Sequence, residues 1–305
     1  MSKPYDPEGA ATTSQVKLWG TRGSIPVSGP QYAHYGGNTV CLEVRQPEHL
    51  VIIDAGTGIR ELGEELIESP YRELHLFIGH AHWDHIIGFP FFKPVYDPEF
   101  TLHIYGPGSN GETMEKALKR ILQPHHFPVR LEQLQARLHF HELGPGDRVD
   151  NGPITVQVAH CDHPGSALGF RIEVPGLTFG YVTDNEFLKG HVGHPSEVTR
   201  GHPMIGEDKR LLDMLQGVNL LIHEAQYTPK EYMQKIGWGH SSISNATALV
   251  HLCGVRNWIV THHDPNADDE TLRKRLALHL EVLEECGMNT EIRMAYDGLR
   301  FPLKT

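Results

Sequence analysis

Residues 74–85 read Leu-His-Leu-Phe-Ile-Gly-His-Ala-His-Trp-Asp-His, and this stretch decides the fold. A mostly apolar strand pattern ends at residue 78, and four potential metal ligands follow within six positions: His80, His82, Asp84 and His85. Because side chains of an extended chain alternate in direction, His80 and His82 point to the same side. Asp84 and His85 come as the chain turns into a short helix and face a second point nearby. The spacing therefore predicts two metal ions about 3.5–4 Å apart, as in other two-metal centres.

Short apolar runs bounded by Gly, Pro or Asp predict further buried strands. They lie at 16–19, 40–44, 50–53, 101–105, 154–159, 168–174, 177–182, 220–222 and 258–260. Helical patterns lie between or after them, at 58–67, 111–121, 209–215, 244–252 and 269–285. This order predicts an α/β fold in which two mixed β-sheets pack face to face and are flanked by helices, an αββα sandwich. Without a repeat or linker, we expect a single domain over 1–305, with 1–14 as a flexible N-terminal tail.

Composition narrows the choice of partner and compartment. The net charge is −11, from 38 acidic and 27 basic residues, so extended nucleic acid is an unfavourable partner. We find neither a signal peptide nor the run of about 18 apolar residues that a membrane helix needs. The four cysteines form no Cys-x-x-Cys pair, which indicates free thiols in a reducing compartment. We therefore expect a cytoplasmic protein without membrane contact.

The motif at 80–85 resembles the signature of the metallo-β-lactamase superfamily, His-x-His-x-Asp-His after a strand. Three later positions, each after an apolar run, match further motifs of that family in the expected order: His160, Asp184 and His262. The resemblance implies the metallo-β-lactamase fold. It also implies two ligand sets, which are His80, His82 and His160 for one ion, and Asp84, His85 and His262 for the other, with Asp184 bridging both.

Two neighbours are alternative ligands. His163 can replace His160 and His263 can replace His262, and we prefer the first of each pair because it lies nearer the predicted strand end. Imidazole and carboxylate donors without thiolate suit Zn²⁺, and also Mn²⁺ or Fe²⁺. We expect two divalent ions, with zinc as the first choice.

Three segments resemble the RNase Z-like and cyclic-phosphodiesterase branch of this superfamily. The first combines Trp-Gly-Thr-Arg-Gly-Ser-Ile-Pro at 19–26 with Tyr-Gly-Gly-Asn-Thr at 35–39, whose glycines let the backbone approach a metal centre closely. The others are Ile-His-Glu-Ala at 222–225 and Gly-His-Ser-Ser at 239–242, with Gln226 where that branch usually has Thr. In that branch the Glu and the later His form a pair beside the metals, which here implies Glu224 and His240.

The implied function is hydrolysis of a small phosphodiester, such as a cyclic nucleotide or a cyclic sugar phosphate. A metal-activated hydroxide attacks phosphorus, and a His240 ring kept protonated by Glu224 serves as general acid for the leaving oxygen. The expected catalytic residues are Asp84, Asp184, Glu224 and His240.

Other functions remain open because one fold hosts many chemistries. A tRNA 3′-end ribonuclease is less favoured, since such enzymes usually carry a basic arm, often between the third and fourth motifs. Here only 24 positions separate His160 from Asp184, and predicted strands fill them. A lactonase or thioesterase is another alternative, and a non-enzymatic metal-binding sensor is disfavoured by the intact ligand set. Because relatives are often dimers, we expect a homodimer.

Several of the 22 histidines receive no firm role. His125 and His126 line the pocket or belong to a surface loop. His191, His194 and His202 lie in a polar excursion over 185–217, where we expect solvent exposure. Trp83, inside the motif, is expected to serve packing.

Overall fold

The computed structural model describes residues 14–108 and 111–303. Within them the chain forms fourteen strands, which are β1 (Gln15–Gly20), β2 (Cys41–Gln46), β3 (His49–Ile53), β4 (Glu73–Phe77), β5 (Thr101–Pro107), β6 (Arg137–Leu143), β7 (Arg148–Asn151), β8 (Ile154–Cys161), β9 (Ala167–Val174), β10 (Leu177–Val182), β11 (Leu220–Glu224), β12 (Asn257–Thr261), β13 (Glu291–Met294) and β14 (Arg300–Pro302). The tail expected over 1–14 lies outside the described residues except for Ser14, which is buried and whose hydroxyl donates to Gln46 Oε1 at 3.1 Å.

Seven α-helices lie in the same described ranges: α1 (Ile59–Ile67), α2 (Trp83–Ile86), α3 (Met114–Ile121), α4 (Lys209–Leu215), α5 (Pro229–Tyr232), α6 (Ile243–Cys253) and α7 (Asp269–Glu285). Local chemistry sets several of their starts. The Thr113 side chain accepts a hydrogen bond from Lys116 N, so α3 begins at Met114 rather than at the predicted 111. Asp268 caps α7 in the same way by accepting from Thr271 N. None of the helices in the described part of the chain has the length and apolar character to cross a bilayer.

The strands form two seven-stranded mixed sheets. Their orders are β14-β1-β2-β3-β4-β5-β6 and β13-β12-β11-β10-β9-β8-β7. In the first sheet β3, β4, β5 and β6 run parallel, and in the second β10, β11, β12 and β13 do. The remaining neighbours pair antiparallel.

Both sheets are apolar on both faces. Val51 and Ile53 of β3 join a core shared by the two sheets, whereas Leu50 and Ile52 pack on the helix side. In β12, Ile259 faces the shared core and Trp258 faces the helices of the second half. This period of two produces four layers, helices–sheet–sheet–helices, and confirms the αββα sandwich.

Four strands were not predicted from the sequence: β6, β7, β13 and β14. These strands are short, or their apolar residues alternate with polar and charged ones, as in the edge strand β6, which reads Arg-Leu-His-Phe-His-Glu-Leu. The cysteines behave as expected: Cys41, Cys161 and Cys253 are buried free thiols, and Cys286 is a partly buried one.

The parallel strands place their carboxyl ends at one edge of the sandwich. Polar residues follow these ends directly: Asp54 after β3, the 80–85 motif after β4, Asp184 after β10 and His262 after β12. Such an edge is where ligand sites of open α/β sheets form.

Candidate metal centre

The 80–85 motif supplies four side chains from one tight turn. His82 occupies the position before α2 with an extended backbone, and Asp84 and His85 lie within that short helix. His80, Asp84 and His85 are buried, while the Ser24 backbone N–H donates to Asp84 Oδ2 at 2.6 Å. The glycine-rich opening therefore contacts the motif directly.

Side chains from the second sheet complete two groups of ligand atoms. In each group the atoms lie within 4.8 Å of one another: His80, His82 and His163 in one, and Asp84, His85 and His262 in the other. Each group thus combines residues from the motif after β4 with a residue that follows a strand of the opposite sheet.

Asp184 lies between the two groups. Its Oδ1 is 3.9 Å from His80 Nε2 and 3.3 Å from His262 Nε2, and its Oδ2 is 3.1 Å from His85 Nε2. His163 Nε2 also lies 3.9 Å from Oδ1. One carboxylate therefore reaches both groups, which is the position of a bridging ligand.

Unsatisfied atoms show that this arrangement suits cations. His80 Nε2 is buried and makes no hydrogen bond within the described part of the chain, and its nearest carboxylate oxygen, Asp184 Oδ1, is 3.9 Å away. His85 Nε2 and Asp184 Oδ2 are buried as well and have only each other, at 3.1 Å. Leaving buried polar atoms unpaired costs about 1–3 kcal/mol each, so a native site should satisfy them. Divalent ions shared by imidazole and carboxylate donors would do so, and the donor set fits zinc.

His160 lies with neither group of ligand atoms. The prediction that His160 rather than His163 is the ligand was therefore wrong. The predicted strand ended at 159, whereas β8 continues to Cys161. His160 is therefore a strand residue paired with Leu168, and its side chain is exposed. His163 is the histidine just past the strand end, where its Nε2 lies 3.1 Å from His82 Nδ1.

His262, by contrast, occupies the expected place and His263 does not. His262 Nε2 is 3.1 Å from Asp84 Oδ2, whereas His263 Nε2 turns away and contacts the Ala295 carbonyl oxygen at 2.9 Å. The Gln226 side-chain amide contacts His262 Nδ1 at 3.2 Å and so fixes the ring. A Cβ on Gly23 would lie 2.4 Å from the same ring, so only glycine fits there.

Asp54 is a residue of the site that the sequence analysis missed. Its Oδ2 lies 3.0 Å from His85 Nδ1, and its Oδ1 accepts from Gly79 N at 2.9 Å. A carboxylate behind a ligating imidazole orients the ring and makes it more basic. Its place at the end of the predicted strand 50–53, before Ala-Gly-Thr-Gly, is the signal that indicates it.

Electrostatics divide the histidines into two kinds. Burial lowers the pKa of His80, His82 and His163, which leaves the neutral rings that metal binding requires. For His85 and His262 burial acts the same way, but the surrounding carboxylates outweigh it and raise the pKa.

The two carboxylates of the cluster are held ionised. Burial alone would raise the pKa of Asp184, but the imidazoles of His262, His85 and His80 outweigh it and hold the pKa well below its ordinary value. Burial would also raise the pKa of Asp84, but His85 and His262 outweigh it and lower that pKa. The cluster therefore keeps these carboxylates in the deprotonated form that a divalent cation would bind.

Glu224 and His240 form the pair that the sequence predicted. Their atoms Oε1 and Nδ1 lie 3.2 Å apart, and Glu224 also accepts from the backbone N–H groups of Ser241 and Gln226 at 2.9 and 3.0 Å. Burial lowers the pKa of His240 to about 4 and raises that of Glu224 well above its ordinary value. Both shifts favour an uncharged imidazole and an uncharged carboxyl group, so the expectation that Glu224 keeps the His240 ring protonated was wrong for the free site.

A second missed carboxylate, Glu186, holds the segment that carries His240. It accepts hydrogen bonds from the Tyr232 hydroxyl at 2.9 Å, from Gly237 N at 2.8 Å and from Gly239 N at 2.9 Å. The Gly239 carbonyl oxygen in turn contacts His163 Nδ1 at 2.8 Å. One backbone segment therefore positions both a candidate ligand and the candidate acid.

Clefts open over the cluster and beside it. The cleft over the cluster measures about 280 Å³ and is lined by Ser24, His82, Trp83, Asp84, Asp184, His240 and His262. A neighbouring cleft of about 470 Å³ is reached past His80 and His82 and includes Arg120 and Ser166.

A third cleft, of about 500 Å³, brings together Trp83, Phe91, Arg120, His125 and His126. The 70% exposure of Trp83 shows that it does not serve packing, contrary to expectation. His125 and His126 are exposed residues of this cleft, which combines the two alternatives considered for them.

The three histidines of the 185–217 excursion lie apart from the cluster and are partly buried rather than fully exposed. His191 and His202 contact each other edge to face, with ring centroids 5.4 Å apart. His194 Nε2 lies 3.4 Å from Glu285 Oε2. None of these three histidines therefore contributes an atom to the candidate metal centre.

Comparison with known proteins identifies the family. A model of the beta-lactamase superfamily domain matches residues 49–263, and the chain belongs to this superfamily. Ribonuclease BN of Salmonella paratyphi C (strain RKS4594) is 23% identical over 286 residues, which covers 83% of this chain and 88% of that protein.

Solved structures agree on the fold. The metallo-beta-lactamase fold protein YhfI from Bacillus subtilis superposes with a TM-score of 0.66 at 16% identity, covering 95% of this chain and 99% of that one. A diphosphatase from the PhnP family gives a TM-score of 0.63 at 16% identity, with 95% and 98% covered. The chain is thus a metallo-β-lactamase-fold hydrolase related to ribonuclease Z and ribonuclease BN, with a His/Asp cluster able to hold metal ions.

Proposed function

We propose that this protein is a dinuclear-metal phosphodiesterase that hydrolyses a small phosphodiester, preferably a cyclic one. The observation that carries the proposal is the Glu224–His240 pair, whose imidazole borders the same cleft as Asp84, Asp184 and His262. Phosphodiester hydrolysis needs positive charge around the phosphoryl oxygens and a proton for the leaving alkoxide. A cationic cluster with an imidazole at its edge meets both needs.

The ligand assignment follows from the two groups of side chains. One ion would be held by His80, His82 and His163, the other by Asp84, His85 and His262, with Asp184 between them. Two divalent cations, zinc by preference, supply there the charge that activates water and neutralises the phosphoryl oxygens.

His240 is the residue that delivers the proton in this proposal. Its Nδ1 is engaged by Glu224, which leaves Nε2 as the ring nitrogen available to substrate. Burial holds the pKa of His240 at about 4, so the free ring is neutral. A bound phosphodiester brings negative charge to the cleft and raises that pKa, so the ring is protonated as substrate binds.

The dimensions of the site favour a small substrate. The neighbouring cleft of about 470 Å³ lies within the range of roughly 300–1,000 Å³ typical of small-molecule sites. Its Arg120 guanidinium is paired with Glu112 of the same cleft, and a substrate phosphate would have to replace that carboxylate to bind it. The net charge of −11 opposes a long polyanion.

A second candidate is a tRNA 3′-end ribonuclease, favoured by the similarity to ribonuclease BN. The β9–β10 connection argues against it, because Val174 pairs with Leu177 and the turn leaves no room for a basic arm there. The homodimer and the cytoplasmic location stay predictions, which light scattering and cell fractionation can check.

Product analysis with metal-loaded protein separates the candidates. We expect hydrolysis of one or more cyclic nucleotides or cyclic sugar phosphates to the ring-opened monoester, and no cleavage of a precursor tRNA. A lactone and a thioester serve as controls for the other hydrolase classes. Cleavage of precursor tRNA with every cyclic phosphate left intact would overturn the proposed substrate class.

A further inference from the structure

A second group of metal-ligating side chains lies near the start of β4, away from the 80–85 motif. Glu73 and His75 belong to β4, and His103 is the β5 residue that pairs with His75 in the parallel ladder. His75 Nε2 lies 3.7 Å from Glu73 Oε1, and His103 Nε2 lies 3.4 Å from the same oxygen. The ligand atoms of all three residues lie within 4.8 Å of one another.

These distances match the edges of a tetrahedral site. Ligand atoms placed about 2.0–2.1 Å from a tetrahedral zinc ion are about 3.3–3.4 Å apart. The two edges to Glu73 Oε1, 3.4 and 3.7 Å, require shifts of only a few tenths of an ångström. The third edge, between the two imidazole nitrogens, lies within 4.8 Å, so rotation of the side chains would close it around an ion.

The other ring nitrogens are already engaged. His75 Nδ1 lies 3.1 Å from the Tyr105 hydroxyl, and His103 Nδ1 lies 3.1 Å from His141 Nε2. Metal-bound histidines almost always have their second nitrogen fixed in this way, which sets the tautomer and the ring orientation. The His75 and His103 rings also stack, with centroids 4.9 Å apart and planes at 17°.

We propose that Glu73, His75 and His103 form a third, separate metal site that binds Zn²⁺ or a similar imidazole-binding divalent cation. The Glu73 side chain is 66% exposed and that of His103 23%, so water completes the coordination. The ion would join β4 to β5 at the start of the strand that leads to His80. Its role is to stabilise the sheet, and the proposal does not depend on phosphodiesterase activity.

The protonation state of His75 agrees with this assignment. Burial, with a further contribution from His103, lowers the pKa of His75 to about 4. The ring is therefore neutral at neutral pH, and the tautomer that donates from Nδ1 to the Tyr105 hydroxyl oxygen leaves Nε2 free to bind a metal ion.

Zinc binding by the full chain tests the site. Bound equivalents are measured by equilibrium dialysis and elemental analysis for the wild type, Glu73→Gln, His103→Ala and His139→Ala. His139 is the matched control, since its ring stacks on His103 at 5.0 Å but lies outside the ligand group. We expect Glu73→Gln and His103→Ala to bind one equivalent fewer than the wild type, and His139→Ala to match the wild type.

A second readout excludes a contribution from the other cluster. Excess Zn²⁺ should raise the Tm of Glu73→Gln less than that of the wild type, because a lost ligand site removes its stabilisation by mass action. The zinc equivalent that His103→Ala removes should still be bound by the Asp184→Ala variant, and adding His103→Ala to that variant should remove it. Equal zinc equivalents in wild type, Glu73→Gln and His103→Ala would overturn the third site and leave the proposed function untouched.

Discussion

At the scale of single residues, the proposed acid His240 must carry a proton although its buried position, beside Glu224, favours the neutral ring. A general acid must carry a proton, yet burial favours the neutral ring and lowers the pKa of His240 to about 4. Glu224 lies behind the ring, where the backbone N–H groups of Ser241, Gln226 and Asn185 donate to its carboxyl oxygens. In the proposed reaction the pair would become protonated only when negative charge enters the cleft, which would link proton delivery to substrate binding.

Substitution of His240 tests this role. His240→Ala should lower turnover of substrates with alkoxide leaving groups by about 10²–10⁴-fold, the usual contribution of general acid–base catalysis. The loss should shrink for p-nitrophenolate, which leaves without a proton, and zinc content should not change. Glu224→Gln should act in the same direction more weakly. Equal losses for good and poor leaving groups at full metal content would make His240 a binding or structural residue.

His163 and His160 offer a matched pair of substitutions. His163→Ala removes an imidazole from the group around His80 and His82 and should lower the zinc content and the activity together. His160→Ala removes an exposed ring from the end of β8 and should leave both unchanged. Elemental analysis and turnover of the two variants check this. The opposite pattern would restore His160 as the ligand.

This pair also shows where sequence reasoning stops. The motif residues, Asp184 and His262 were identified because each follows an apolar run that ends abruptly. Between His160 and His163 the sequence offered two candidates, and the choice depended on whether β8 ended at 159 or 161. Strand ends are set by pairing with a neighbouring strand, here β9, which a local pattern does not reveal.

At the scale of elements, apolar periodicity located the buried strands and the long helices. α4 and α7 have the predicted bounds of 209–215 and 269–285. The strands β6 and β13 lie at the edges of their sheets, so each pairs with a neighbouring strand on one side only. In both strands apolar residues alternate with polar or charged ones. Such strands form because a neighbouring strand pairs with them, so the local sequence carries little signal.

Helix α7 carries a buried histidine outside the metal centre. His279 is fully buried, and its ring meets the Trp258 ring edge to face at 4.8 Å. Its two ring nitrogens have no hydrogen-bond partner in residues 14–108 and 111–303. Burial lowers its pKa from 6.5 to about 3, so the folded protein keeps the ring neutral where the unfolded chain protonates it.

His279 therefore makes the free energy of unfolding depend on pH. The unfolded chain gains a proton below pH 6.5, whereas the folded chain gains it only near pH 3. The free energy of unfolding therefore decreases as the pH is lowered from 6.5 to 3. The slope is about 1.4 kcal/mol per pH unit. His279→Leu should lose this slope, and its advantage over the wild type should grow from about pH 6.5 to 4. His251→Leu, on the exposed face of α6, is the control. Urea unfolding across pH checks this, and identical slopes for wild type and His279→Leu would contradict it.

At the scale of the whole molecule, the candidate metal centre forms where the two sheets meet. β4 of the first sheet leads to four candidate ligands, and β8, β10 and β12 of the second lead to His163, Asp184 and His262. The sequence predicted nearly all of these side chains and the layered fold that brings them together. It did not predict the supporting contacts of Asp54, Gln226 and Glu186, because these depend on distances between separate loops.

The most direct test of the central claim is the substrate preference of the protein in its metal-stripped and zinc-reloaded forms. The rates of hydrolysis of bis-p-nitrophenyl phosphate, a thioester and a lactone are compared as kcat/KM under the same conditions. The account predicts that stripped protein is inactive, that zinc restores activity, and that the phosphodiester is preferred. A reloaded enzyme that prefers the thioester or the lactone, or a stripped enzyme that retains full phosphodiesterase activity, would contradict it.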